Sequence, residues 1–404
     1  MNLKVTAPRN MRDFGLEVFF SKWEFTARHH MTASDLESMS LSDLLAMASN
    51  EDRKAFEELW LGYTETWGAP QLRREISSTY DQIPADNILC MAGAGEGLFA
   101  IPNVLLTRDD HAIVPTPNYQ GAETIPLSIC EVTGLPMVYS SPSGIGSGAE
   151  KGGWRIDIGQ LRDAIRPNTK LISLNFPHNP TGTLMNSDDL ADLVSIARES
   201  GIYILADEVY RGVELDPIDR MPQIADVYER GVSLNVVSKA YGLPGLRIGW
   251  IASQDRAFLQ RVERFKHYLS ICNSGPAEIL ALIALKSRHE ILARNHAIML
   301  ENVLALERVF DMFPGLFEWF RPLGGCVAFP KYCGPDGAEA FTRKLIEESG
   351  VLLLPSSIYS SDLSETPQNH FRIGFGRNQV FKEGLAAMAA HLEKHYPDHK
   401  VAPD

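Results

Sequence analysis

Cysteine is scarce and unpatterned in this chain. Five occur among 404 residues, Cys90, Cys130, Cys272, Cys326 and Cys333, and no two are spaced C-x-x-C. That argues against a disulfide framework or a zinc site and fits a reducing cytoplasm. No metal is expected. Long apolar runs are missing too. None approaches the ~20 residues that span a bilayer, and the longest, around 279–285, falls in a helical pattern that reads as core. No run of five like charges forms a tail, and the net charge of -13 is diffuse. This balance disfavours nucleic acid or an anionic membrane as partner. The first residues carry Lys4, Arg9, Arg12, Asp13 and Glu17 without an apolar stretch or a small-residue cleavage site. They do not read as a signal peptide.

What is present is ordinary globular material: 45% hydrophobic and 22% charged residues over a length that suits one large domain plus a smaller one. Short β-branched runs at 88–91, 112–114, 136–139, 170–174, 202–206, 234–237 and 248–252 alternate with helical patterns such as 187–199. Such alternation predicts an α/β fold with a mostly parallel, seven-stranded sheet between helices. After residue 285 the rhythm changes. A long helix over 290–313 leads to strands at 328–329, 351–354 and 371–375 and helices at 338–348 and 379–394. The expected division is a large domain over 56–290 and a small α+β domain over 291–404, with segment 1–55 packing against the latter. The Gly- and Ser-rich stretch 140–153 reads as a surface loop.

Ligands of parallel sheets bind beyond the carboxyl ends of the strands, so the residues just after each strand matter most. Lys239 follows one strand in Ser238-Lys239-Ala240-Tyr241-Gly242-Leu243-Pro244-Gly245-Leu246-Arg247. A lysine in a confined, cation-rich pocket has a lowered pKa and forms imines with aldehydes. Arg247 can grip a phosphate bidentately. Taken alone, such a lysine is more often a solvated end-of-strand charge; the full string is more specific. Asp207 ends another strand, with Tyr210 three residues on. It could be a metal ligand, a helix cap or an ion-pair partner. Beside pyridoxal phosphate it would hold the pyridine nitrogen protonated. The segment Asn175 to Gly182 is either a plain Asn-Pro-Gly turn or a turn that aims Asn179 at a cofactor. Gly93-Ala94-Gly95-Glu96-Gly97-Leu98 follows a strand and opens a helix, whose free amides suit a phosphate. A dinucleotide fingerprint fails there, because its third glycine falls on Leu98. Glu96 must point its charge away from any phosphate.

In this order the strings Gly93–Gly97, Tyr119, Asn175–Gly182, Asp207–Tyr210, Ser238–Lys239, Arg247 and Arg372 resemble the aspartate aminotransferase superfamily. That is fold type I of the pyridoxal-phosphate enzymes, class I/II. The resemblance spans about 62–376. It implies pyridoxal 5'-phosphate as cofactor and Lys239 as the Schiff-base lysine that also moves the proton. It gives Asp207 the pyridine nitrogen, Asn179 and Tyr210 the ring oxygen, and Tyr119 the ring face. Ala94, Gly95, Glu96, Ser238 and Arg247 would form the phosphate cradle. Tyr63 resembles the tyrosine that reaches the phosphate of the neighbouring subunit, which implies a homodimer with shared sites. Arg372 resembles the arginine that binds the substrate α-carboxylate. Two positions depart from the family: Val236 stands where many relatives have Ser or Thr, and 27–35 lacks their Gly-Glu-Pro-type segment.

The implied activity is amino-group transfer between an amino acid and a 2-oxo acid by a ping-pong cycle. The same site could support β-elimination, decarboxylation or cyclisation of an amino acid, since fold and cofactor do not choose among these. A cofactor-binding regulator is disfavoured because the motifs begin near Gly62, leaving no preceding DNA-binding domain. The segment 28–35, with Arg28, His29, His30, Ser34 and Asp35, is either a solvated loop or a lid that contacts the substrate side chain.

Overall fold

Eight strands form the central sheet of the computed structural model, which describes residues 3–140 and 153–401. They are β1 (Val5–Thr6), β2 (Ile88–Met91), β3 (His111–Thr116), β4 (Glu131–Pro136), β5 (Thr169–Asn175), β6 (Tyr203–Asp207), β7 (Gly231–Val236) and β8 (Gly249–Ser253). Their spatial order is β1-β4-β3-β5-β6-β7-β8-β2. The centre, β4 to β7, is parallel; β1, and β8 with its two neighbours, pair antiparallel. Both faces are covered, as the β-branched runs require. Ile113, Leu135, Ile172 and Ile204 point into one apolar layer, while Ala112, Val132, Leu171 and Leu205 point into the other. Each large side chain among them is fully withdrawn from water, worth roughly 1.5–3 kcal/mol apiece.

Two differences from the sequence reading have physical causes. The run expected at 136–139 is two elements: β4 ends at Pro136, and Val138–Ser140 forms a separate hairpin with Gly153–Arg155. β4 hides in the sequence because it contains Glu131 and Gly134; a Cβ on Gly134 would meet the Leu363 backbone, so close approach selects glycine over a strand former. The eighth strand, β1, is two residues long and carries no periodicity. It is recognisable only through its pairing with Val132 and Thr133. The stretch expected as a loop at 140–153 lies, apart from its ends, outside the described residues.

Helix signals behave as local chemistry dictates. Ser187–Ser200 is capped by Asn186, whose side chain accepts from the Asp189 amide, carries Asp188 and Asp189 in its first turn, and stops at Gly201 in the left-handed region. Arg288–Asp311 is a single helix leading into the C-terminal elements. There Phe371–Gly374 pairs with Val327–Ala328 and Leu354–Pro355, and His29–His30 pairs in parallel with Val351–Leu352. The N-terminal segment therefore touches both the central sheet, through β1, and the C-terminal elements. Segment 30–36 is thereby mostly buried: Gly374 donates its N–H to the Met31 carbonyl and Glu37 donates to the Gly376 carbonyl. It is a packed wall, not a solvated loop.

Candidate active site

The carboxyl ends of β5, β6 and β7 open into one cavity of about 400 Å³. Adjacent strands place the functional groups side by side. Asn175 and Asp207 are register partners, as are Asp207 and Leu234. Asn175 uses its amide twice, donating to the Asp207 carbonyl at 2.9 Å and accepting from the Asn179 N–H at 2.8 Å. This holds the turn after β5 against the end of β6. Asn179, Asp207, Tyr210, Ser238, Lys239, Tyr119, Ala94, Gly95 and Arg247 all line the cavity.

Charge placement follows from burial. The Lys239 Nζ donates to Ser34 Oγ at 2.9 Å, and desolvation holds its pKa below the usual lysine value. The Asp207 carboxyl is pushed up to about 6, again chiefly by desolvation, opposed by the Val209 amide and by Lys239. A desolvated carboxylate whose one hydrogen-bond partner among the described residues is a backbone amide suits a protonated ring nitrogen. Tyr210 donates to the Ser34 carbonyl at 2.9 Å, so Ser34 bridges lysine and tyrosine.

The far end is shaped for an oxyanion. Helix Ala94–Leu105 starts there, with Gly93 at φ 90° as its N-cap. A Cβ at Gly93 would approach the Arg247 guanidinium to 2.6 Å, while Gly95 has open space. Glycine is thus needed at position 93 for both backbone and room. Arg247 stands over these amides, 3.5 Å from Ser238 Oγ. Val236 lines the same cavity with an apolar side chain, leaving Ser238 as the hydroxyl. Helix amides, a guanidinium and a hydroxyl form a phosphate donor set. With Lys239 and Asp207 beside it, the residues present fit pyridoxal phosphate.

Three of the expected site residues stand off this lining. The Glu96 carboxylate turns back to accept from the Ala92 and Ser270 amides, at 2.6 and 3.1 Å, leaving only its backbone N–H to offer. Tyr63 is 87% exposed in the single chain. Arg372 is wholly buried behind Asn179. Its guanidinium donates to Asn179 Oδ1 at 3.1 Å, Tyr359 Oη at 2.7 Å and the Thr32 carbonyl at 2.6 Å, while Nε has no partner among the described residues. None of these partners is an anion, so the buried charge is left for a carboxylate to neutralise. Because Asn179 Oδ1 is occupied by Arg372 and Tyr359, its NH2 remains free to donate into the cavity.

Sequence reasoning missed Tyr359 and Thr32, which hold Arg372 from 13 and 340 residues away. It also missed the helix Gly15–Trp23, which supplies Leu16, Glu17 and Phe20 to the cavity wall. Of the expected lid, His30, Ser34 and Asp35 line the cavity, while Arg28 is exposed away from it.

With this geometry in view, similarity to known proteins becomes specific. The aspartate aminotransferase of Pyrococcus horikoshii is 25% identical over 352 residues, 85% of each chain. The capreomycidine synthase of Streptomyces vinaceus is 24% identical over 393 residues, 94% of each chain. A solved PLP-dependent aminotransferase from Streptococcus suis shares the fold with a TM-score of 0.86 at 31% identity, across 96% of this chain and 99% of that one. The profile of the family Aminotransferase class I and II matches residues 34–388. The chain therefore belongs to the class I and II aminotransferase family, pyridoxal-phosphate-dependent enzymes of fold type I.

Proposed function

We propose that this enzyme moves an amino group between an amino acid and a 2-oxo acid in a ping-pong cycle, with its cofactor held at Lys239. The observation that carries the reading is the convergence of Lys239, Asp207 and Asn179 with a phosphate cradle in one cavity. Pyridoxal phosphate, when bound, supplies an aldehyde for an amine and a conjugated ring that takes up the electron pair left at Cα. The chain's own residues do the rest. Asp207 holds a proton at the ring nitrogen. Asn179 and Tyr210 face the ring oxygen, and Tyr119 the ring face. Arg372 orients the substrate through its α-carboxylate, a planar bidentate fit. Lys239 Nζ, its pKa lowered by burial, takes the proton from the substrate Cα and would pass it to the cofactor carbon that keeps the amino group.

The test is to follow a labelled amino group. It should appear on a new amino acid only when a 2-oxo acid acceptor is added. Donor consumed without label reaching any acceptor would instead favour cyclisation or elimination. That second reading draws support from the capreomycidine synthase, which aligns with nearly the whole chain.

We also infer a homodimer with shared active sites. Trp60 and Tyr63 are 81% and 87% exposed, and Tyr268 is 89% exposed. Thr64 Oγ1 donates to the Asn273 carbonyl at 2.8 Å, which ties the two exposed segments together. The Ser270 amide in turn reaches Glu96 on the cradle helix. Exposed aromatic surface of this kind supports a subunit interface. Inactive Tyr63→Ala and Lys239→Ala proteins, refolded together, should regain about half of wild-type activity per heterodimer, the share expected when one of two sites is intact, and so about a quarter in a random mixture. No recovery in verified heterodimers would make each subunit self-contained.

A further inference from the structure

The cavity extends past the cofactor residues to a second group of side chains, set by helix Gly15–Trp23 and by segment 30–35. Glu17, Phe20 and Glu24 recur at i, i+3 and i+7, so they share one helix face, and all three line the cavity. The helix is anchored: the Gly15 amide donates to Gln120 Oε1 at 2.9 Å, and Gln120 Nε2 donates to the Asp13 carbonyl at 2.8 Å. Neither Glu17 nor Glu24 has a side-chain hydrogen bond or ion pair among the described residues. Glu17 lines the same cavity as Tyr119, Asp207 and Lys239.

Beside these carboxylates stands His30. It is 7% exposed, lines the same cavity, and neither ring nitrogen has a hydrogen-bond partner among the described residues. Burial, then Arg377, lowers its pKa to about 4, so it is a neutral imidazole with one acceptor and one donor to offer. A buried ring left unsatisfied on both nitrogens is costly unless a ligand completes it.

The other charged groups at this end have partners of their own. Arg377 is held bidentately by Asp35 at 3.1 Å. Lys22, on the same helix, lies over the Trp23 ring at 4.6 Å. Arg372, whose guanidinium lies 6.0 Å from the Phe20 ring, is left to the α-carboxylate, so the carboxylates facing a side chain are those of Glu17 and Glu24. An acidic side chain would meet two like charges, with Arg377 already paired and Arg372 already engaged.

We propose that Glu17, Glu24 and His30 form the side-chain subsite of this cavity and select an amino acid whose side chain carries an ammonium or guanidinium group. The proposal rests on the amino-acid-substrate reading above. It adds to it a preference that Arg372 cannot supply, since an α-carboxylate contact is common to all amino acids.

The experiment compares near-isosteric pairs on the holoenzyme: L-lysine with L-norleucine, and L-arginine with L-citrulline. Affinities are measured by titration calorimetry and turnover by kcat/KM. The charged member of at least one pair should bind and react about tenfold better or more, and Glu17→Gln combined with Glu24→Gln should erase that advantage. Gln is nearly isosteric with Glu and suits both exposed Glu17 in the helix and half-buried Glu24 at its C-cap, and circular dichroism checks that the fold is kept. If no amino-group transfer occurs but the charged member still binds better, the activity reading fails and the subsite stands. Equal affinity within both pairs, an advantage that survives the double substitution, or a preference for L-aspartate or L-glutamate overturns the subsite.

Discussion

Lys239→Ala should lower turnover about a thousandfold or more, the scale of losing a covalent anchor and a general base in one residue. The argument begins in the chain. β7 runs buried to Val236, and the two residues after it bring the lysine to the cavity at the strand's carboxyl end. Among the described residues its Nζ has one hydrogen bond, to Ser34, and the charges of Asp35, Arg372 and Asp207 act on it. Removing it deletes no core packing, so the variant should melt within a few degrees of wild type. It should also still bind pyridoxal phosphate, because Arg247, Ser238 and the Ala94 and Gly95 amides are untouched. Borohydride reduction should then fix no cofactor to the chain. Cofactor recovered on another lysine of the variant would move the assignment away from Lys239.

The cofactor end of this site was legible in the sequence because each of its parts is local. Asp207 and Lys239 follow their strands directly, and the glycine and proline spacing around Gly93 and Arg247 encodes backbone shape within a few residues. Strand adjacency then follows from the parallel sheet. The substrate end is non-local. Tyr359 and Thr32 are recognisable as partners of Arg372 only once the chain has folded, since nothing in the spacing couples them. Glu17 was read as part of a polar N-terminus, and its helix has only nine residues with Leu16 alone fully buried. An exposed amphipathic helix with one buried residue gives a weak periodic signal. The segment at 28–35 was legible as unusual, but its burial was not. His30 and Asp35 are polar types that solvent normally takes, and they are buried because β-pairing at His29–His30 and the Arg377 ion pair draw them in.

The same separation explains how specificity can vary on this scaffold. The groups that would hold pyridoxal phosphate come from strand ends that the sheet fixes relative to one another. The groups that would read a side chain come from a terminal helix and one packed segment, which can change without disturbing strand register.

Asp207→Asn separates what this carboxylate does for the reaction from what it costs the fold. In the loaded enzyme, an amide cannot hold a proton at the ring nitrogen as a carboxylate does. Loss of one preorganised electrostatic partner slows reactions about a hundredfold to a thousandfold, and single-turnover loss of the Cα proton should show it. In the cofactor-free protein the effect should run the other way. Desolvation raises the Asp207 pKa from 3.8 to about 6, so the folded chain binds this proton more tightly than the unfolded chain. Below about pH 4 both states hold it and the carboxyl costs nothing. Between about 4 and 6 the unfolded chain releases it first, and stability falls as pH rises. Above about 6 the folded carboxylate is ionised at full cost, on the order of 3 kcal/mol at about 1.4 kcal/mol per pKa unit. Asparagine has no such ionisation. The cofactor-free variant should therefore melt at a higher temperature than cofactor-free wild type at pH 7.5, and the two should converge as the pH is lowered to 4. Pyridoxal phosphate should reverse the order at neutral pH, stabilising wild type more than the variant, because only the carboxylate gains an ionic partner from it. Equal melting curves at both pH values, together with wild-type loss of the Cα proton, would remove Asp207 from both roles.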